Sequence, residues 1–174
     1  MLGANYSEIT SFYDLNYTAK SSDFHEMVLT DNDTALVESW RVTSADLTAV
    51  GGPADGWTWD CVFQETTTEP DPSARTVLFE WHSLDHVPVE QTYFGISDNA
   101  GSAEDDPFDY CHINSLEKTN DGNYLVSMRG PSTIYHISAE TGQCRHSSHA
   151  RPCADIAAQA RSSGTSRASR RALR

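Results

Sequence analysis

The sequence predicts an all-β chain, an incomplete β-propeller followed by a tail of different character, and three observations lead there. Short runs rich in Val, Leu, Phe and Trp alternate with turns built from Asp, Asn, Gly and Pro, the pattern of successive hairpins. Two of these hairpins resemble each other at a fixed offset, as repeat architectures do. Aromatics make up 10% of the chain although hydrophobic residues reach only 38%, unlike the aromatic-poor composition of disordered or coiled-coil chains. The 174 residues suffice for one domain with a sizeable core.

Taken in order, strands are expected at 26–29 and 35–40, flanking the polar turn Asp31-Asn32-Asp33. A second pair at 61–66 and 76–81 flanks a turn holding Pro70 and Pro72, which cannot sit in a central strand. A third pair at 113–117 and 123–128 flanks Asn120-Asp121-Gly122, where Gly accepts the positive φ of a tight turn. One more strand, 133–137, runs into the turn at Thr141-Gly142. That turn should lead to a further strand, but the text changes there, and the strand is expected to lack its partner.

The repeat joins the first and third pairs. Phe24-His25-Glu26 leads to Arg41, and Cys111-His112-Ile113 leads to Arg129, with His-to-Arg spacings of 16 and 17. The two His lie 87 residues apart, about twice the roughly 40–45 residues of a propeller blade. A body spanning 1–143 then holds about three blades, fewer than the roughly 4–8 of a closed propeller. The expectation is a fragment, or an array that assembles with something else.

The tail, residues 144–174, has seven Arg against one acid, Asp155, for a net charge of +6. The body has five basic residues against 24 acids, for a net charge of −19. So acidic a body repels a phosphate backbone, which excludes nucleic acid as its partner. The tail is Ser-, Arg- and Ala-rich and is expected to be disordered, apart from a short helix near 154–161. No apolar run is long enough to span a membrane, and the first ten residues lack the basic and apolar regions of a secretory signal.

Candidate chemistry centres on histidine. His25, His86 and His112 each have a carboxylate within three residues, an arrangement that can hold one tautomer for acid, base or nucleophilic work. Strand alternation places His112 and Asn114 on one face. No zinc-type spacing of His or Cys occurs, and the acidic turns lack the EF-hand pattern, so neither a metal nor a cofactor is expected. The four Cys (Cys61, Cys111, Cys144 and Cys153) show no disulfide-framework spacing. Three N-x-S/T sequons, at Asn5, Asn16 and Asn32, fit glycosylation in the secretory pathway.

These residues together carry a family likeness. Asp23-Phe24-His25-Glu26, Val50-Gly51-Gly52-Pro53 with Asp55-Gly56-Trp57, and Leu78-Phe79-Glu80-Trp81 resemble the fungal arylsulfotransferase-like family. So do Asp109-Tyr110-Cys111-His112-Ile113-Asn114-Ser115 and the run from Asp121 to Arg129. The resemblance covers about residues 5–143. It implies a six-bladed propeller with an axial active site, a secreted protein, and transfer of a sulfuryl group from an aryl sulfate donor to a phenolic acceptor through a sulfohistidine. By motif position His25, His112 and Arg129 are the catalytic candidates, and His86 and Asn114 the substrate-binding ones. The family commonly has an aromatic where Cys111 stands and a His where Gly130 stands. Its nucleophilic His is expected beyond residue 143, where this chain carries its tail, so the chain alone is expected to be inactive. The alternatives are a non-catalytic binding propeller and an inactive gene fragment.

Overall fold

The computed structural model describes residues 4–8, 10–16, 22–97 and 99–148. These form two four-stranded antiparallel sheets in which every strand lies beside its neighbours in sequence. The first sheet is β1 (Ser22–Leu29), β2 (Thr34–Ala45), β3 (Gly56–Thr67) and β4 (Val77–His82). The second is β5 (Ile113–Lys118), β6 (Tyr124–Met128), β7 (Thr133–Ile137) and β8 (Cys144–Ser148). Among the described residues the only helical pieces are four 3₁₀ turns of three residues each, and no helix is long and apolar enough to cross a membrane.

The hairpin turns form where their residues permit. Asp33 and Gly122 both take a positive φ, 56° and 83°, conformations open to Asp and Gly at little cost. Pro72 opens a 3₁₀ turn whose preceding Asp71 accepts from the Ser73 amide at 2.9 Å.

Three expectations are corrected. The described residues hold two sheets rather than about three blades, because 83–112 is occupied by loops and 3₁₀ turns. His25 and His112 are therefore separated by one sheet and this long connection, not by two blades. The strand after Gly142 is present: β8 pairs with β7 in antiparallel register, Tyr135 facing Ser147 and Ile137 facing Cys144. The change of composition at Cys144 hid this strand, since backbone pairing tolerates polar residues on an outer strand. The helix expected near 154–161 lies outside the described residues.

The two sheets share one core. Phe63 and Phe79 of the first sheet meet Tyr124 of the second at centroid distances of 5.2 and 4.6 Å. The Trp81 indole, 1% exposed, donates to the Gly142 carbonyl at 3.0 Å and so ties β4 to the β7–β8 turn. Buried Glu65 on β3 accepts from Lys118 at 2.7 Å and from Tyr124 at 2.5 Å, both on the second sheet. Burial pushes the Glu65 carboxyl up, but the hydrogen bonds from Lys118, Thr34 and Tyr124 outweigh it and hold the group below its usual range. The Leu116 amide on β5 donates to Glu26 on β1 at 2.7 Å.

A disulfide completes the join. Cys61 on β3 and Cys111 just ahead of β5 are bonded across 50 residues, with Cα atoms 6.6 Å apart. Sequence spacing hid it because neither Cys belongs to a local motif, and the pair meets only when the sheets pack.

Candidate active site

Three elements converge at one rim of the joined sheets. β1 supplies Asp23 and His25, the segment ahead of β5 supplies Asp109 and His112, and the end of β6 supplies Arg129. His112 holds a left-handed backbone, φ 52°, rare for a residue with a Cβ. Its carbonyl accepts from the Arg129 amide at 2.9 Å, and the Cys111 carbonyl accepts from Gly130 at 2.9 Å. This pinned turn puts His112 outside the strand. Register also shifts between Ile113 and Ser115, so alternation does not carry from His112 to Asn114, and that expectation is corrected. Asn114 is half-buried at the shift.

The two imidazoles are arranged back to back. His112 Nδ1 lies 2.6 Å from Asp109 Oδ2, and His25 Nδ1 contacts Asp23 Oδ1. The remaining nitrogens face one another, Nε2 to Nε2 at 3.4 Å, with ring planes at 84°. A carboxylate at Nδ1 favours the Nδ1–H tautomer, leaving Nε2 as a lone pair. At 3.4 Å the two Nε2 atoms are within hydrogen-bonding reach of one another when either carries the proton. Arg129 reaches in with its terminal nitrogen 3.5 Å from His112 Nδ1 and 3.7 Å from Asp109, its guanidinium 5.4 Å from the Phe94 ring centre. Side-chain exposures of 24% for His25, 14% for His112 and 55% for Arg129 leave all three accessible.

Beneath the rim is a narrow cleft of about 10 Å³ between Asp23, Glu38, Trp40, Trp59, Asp109 and His112. Trp40 and Trp59 stack at 5.4 Å on one wall. Glu38 is 1% exposed; its Oε1 accepts from the Glu26 amide at 2.7 Å, while Oε2 has no hydrogen-bond partner. Burial, reinforced by neighbouring Asp23, pushes its carboxyl up to about 8.

His86 stands elsewhere. Its ring stacks on Trp81 at 5.2 Å, close under Gly142, and burial lowers its pKa. His82, unremarked in the sequence, is better paired: it bonds Asp60 at 2.7 Å and Glu80 at 3.1 Å, and its pKa is raised chiefly by Asp60. Glu38 and the stacked Trp pair were also missed, whereas Asp109 was marked by its place beside His112. A carboxylate three residues before His112 was the one local signal available. Asn5, Asn16 and Asn32 are all exposed, and Asn16 donates to Glu80 at 2.7 Å.

Comparison with known families decides what this rim belongs to. The family model described as Arylsulfotransferase (ASST) matches residues 3–156. The chain belongs to the arylsulfotransferase family. No curated protein and no solved structure was found to match it. The match runs through β8, so the region beginning at Cys144 is partly family sequence.

Cys111 and Gly130 are neighbours in space. Cys111 supplies the disulfide to Cys61. Gly130 lies so close to the preceding turn that a Cβ there would stand 1.9 Å from the Tyr110 carbonyl oxygen and 3.1 Å from the Cys111 Cα. Any side chain at 130 would force the turn carrying His112 to move.

Proposed function

We propose that this arylsulfotransferase-family protein engages the sulfuryl group of an aryl sulfate at the His25–His112–Arg129 rim, the two sheets serving as blades of a β-propeller. The observation that carries the reading is the convergence of two carboxylate-held imidazoles and a guanidinium from three separate elements. A sulfuryl group in transfer spreads negative charge over its oxygens, and a fixed guanidinium with imidazolium N–H groups stabilises that charge. An imidazole with a proton on Nε2 can donate to the guest and protonate a departing phenolate. The cleft under the rim is too small for an aromatic ring, so the aryl group sits outward, beside Arg129 and Phe94.

His25 and His112 have supporting roles in this reading, and neither is the nucleophile. The phenolic acceptor follows from the family. Passage through the secretory pathway, with glycosylation at Asn5, Asn16 and Asn32, is supported by the Cys61–Cys111 disulfide and the exposure of all three Asn.

The test uses 4-nitrophenyl sulfate with the full chain. Calorimetry should show binding that weakens about tenfold in Arg129→Ala, with no sustained release of nitrophenolate. Robust turnover by this chain would overturn the purely supporting role of the two His. A donor-dependent sulfohistidine on this chain would do the same, whereas absence of any binding would remove the sulfuryl reading itself.

A further inference from the structure

We propose that Asp23, His25 and Glu38 form a binding site for a divalent transition-metal ion. One ligand atom from each of the three lies within 4.8 Å of the others. They come from adjacent strands, Asp23 and His25 on β1 and Glu38 on β2, and no local sequence pattern announces the set. The nitrogen of His25 on this side is Nδ1, the one in contact with Asp23; its Nε2 remains directed at His112.

Glu38 is the observation that points to a ligand. Its carboxylate is 1% exposed and one of its oxygens is without a hydrogen-bond partner in a buried setting. A buried carboxylate oxygen left unbonded is costly, and a cation seated against it removes that cost. The adjoining cleft of about 10 Å³ has room for about one water-sized occupant. The charge balance also favours a cation. Asp23 and Glu26 lie close enough to Glu38 to act on its charge, and Asp109 lines the same cleft.

Two carboxylates and one imidazole suit zinc or manganese. Metal–ligand distances of about 2.0–2.2 Å require the three groups to draw together modestly from their present spacing. Three protein ligands leave at least one coordination position for water. This site shares Asp23 and His25 with the rim, but it concerns a cation behind the rim and not an anion in front of it, so the two are tested with different ligands.

Titration of the EDTA-stripped full chain with ZnCl2 and with MnCl2, followed by calorimetry, tests the site. One equivalent of at least one ion should bind, and binding should weaken about tenfold or more in Glu38→Gln and in Asp23→Asn, but not in the exposed-turn variant Asp121→Asn. Glu38→Gln keeps the shape of the buried side chain, so it is expected to stay folded, as circular dichroism will register. If neither ion binds, or if both ligand variants bind as the parent does, the proposal is overturned. Failure here leaves 4-nitrophenyl sulfate binding untouched, which keeps the two readings separable.

Discussion

The two sheets are built on the same plan but buried differently. In the first, Thr34–Ser39 of β2 and residues 60–66 of β3 are buried on both faces. One face meets the second sheet, and residues 10–16 lie against the rest: the Leu15 amide donates to Gln64 at 2.9 Å, and Arg75 donates to the Ser11 carbonyl at 2.7 Å. In the second, β6 and β7 alternate buried and less buried positions, the pattern of a sheet covered on one side. The doubly covered sheet must satisfy polar groups internally, and it is where the buried carboxylates Glu38, Asp60 and Glu65 sit. The singly covered sheet contributes Lys118, Tyr124 and the turn of His112. The rim thus draws its buried acids from one sheet and its accessible bases partly from the other.

The largest effect should come from cutting the contact between the sheets at its apolar centre. Trp81→Ala removes a fully buried indole and its bond to the β7–β8 turn; a loss of about 3–5 kcal/mol is expected, measured by urea denaturation. If the second sheet folds independently, its tyrosine fluorescence will survive where the first sheet's signal is lost.

Next is the covalent join. The double variant Cys61→Ser, Cys111→Ser frees a 50-residue connection and should cost about 2–4 kcal/mol. Thermal melts with and without reductant should separate for the parent and coincide for the variant.

A smaller, pH-dependent effect marks the acidic side of the comparison. The folded carboxyl of Glu38 is raised from 4.5 to about 8, so its contribution is fully present below about pH 4.5 and is lost as pH climbs through about 8. In the presence of EDTA, Glu38→Gln should therefore match the parent near pH 5 and exceed it by about 1–3 kcal/mol near pH 9. Parallel pH–stability curves would show that Glu38 is not desolvated. The smallest effect is expected on the open face of the second sheet, where Ile134 is 48% exposed. Ile134→Thr should change stability by less than about 0.5 kcal/mol, and a loss of 2 kcal/mol would mean that this face is covered.

Much of the fold was legible because hairpins are local. The strand at 133–137 coincides with β7, and 113–117 and 123–128 differ from β5 and β6 by a residue. The length of β2 and β3, twelve residues each, was not legible, because their continuous burial erases alternation. β8 was hidden by its polar composition. In the rim, the pairing of His25 with Asp23 and of His112 with Asp109 was foreshadowed by residues two and three positions away. Glu38 and the Cys61–Cys111 bond were not, since each acquires its meaning from a strand distant in sequence.

Alternation of side chains and turn chemistry act over a few residues, so the amino-acid order alone determined that this chain forms antiparallel hairpins and that its His carry carboxylate neighbours. Tertiary packing decided what no short window contains: that β1 lies against β5, that His25 and His112 meet across 87 residues, and that Glu38 is sealed beside them. The physical reason is range. Desolvation and ring-to-ring contact depend on which surfaces exclude water from each other, and that is set only when the two sheets close on one core.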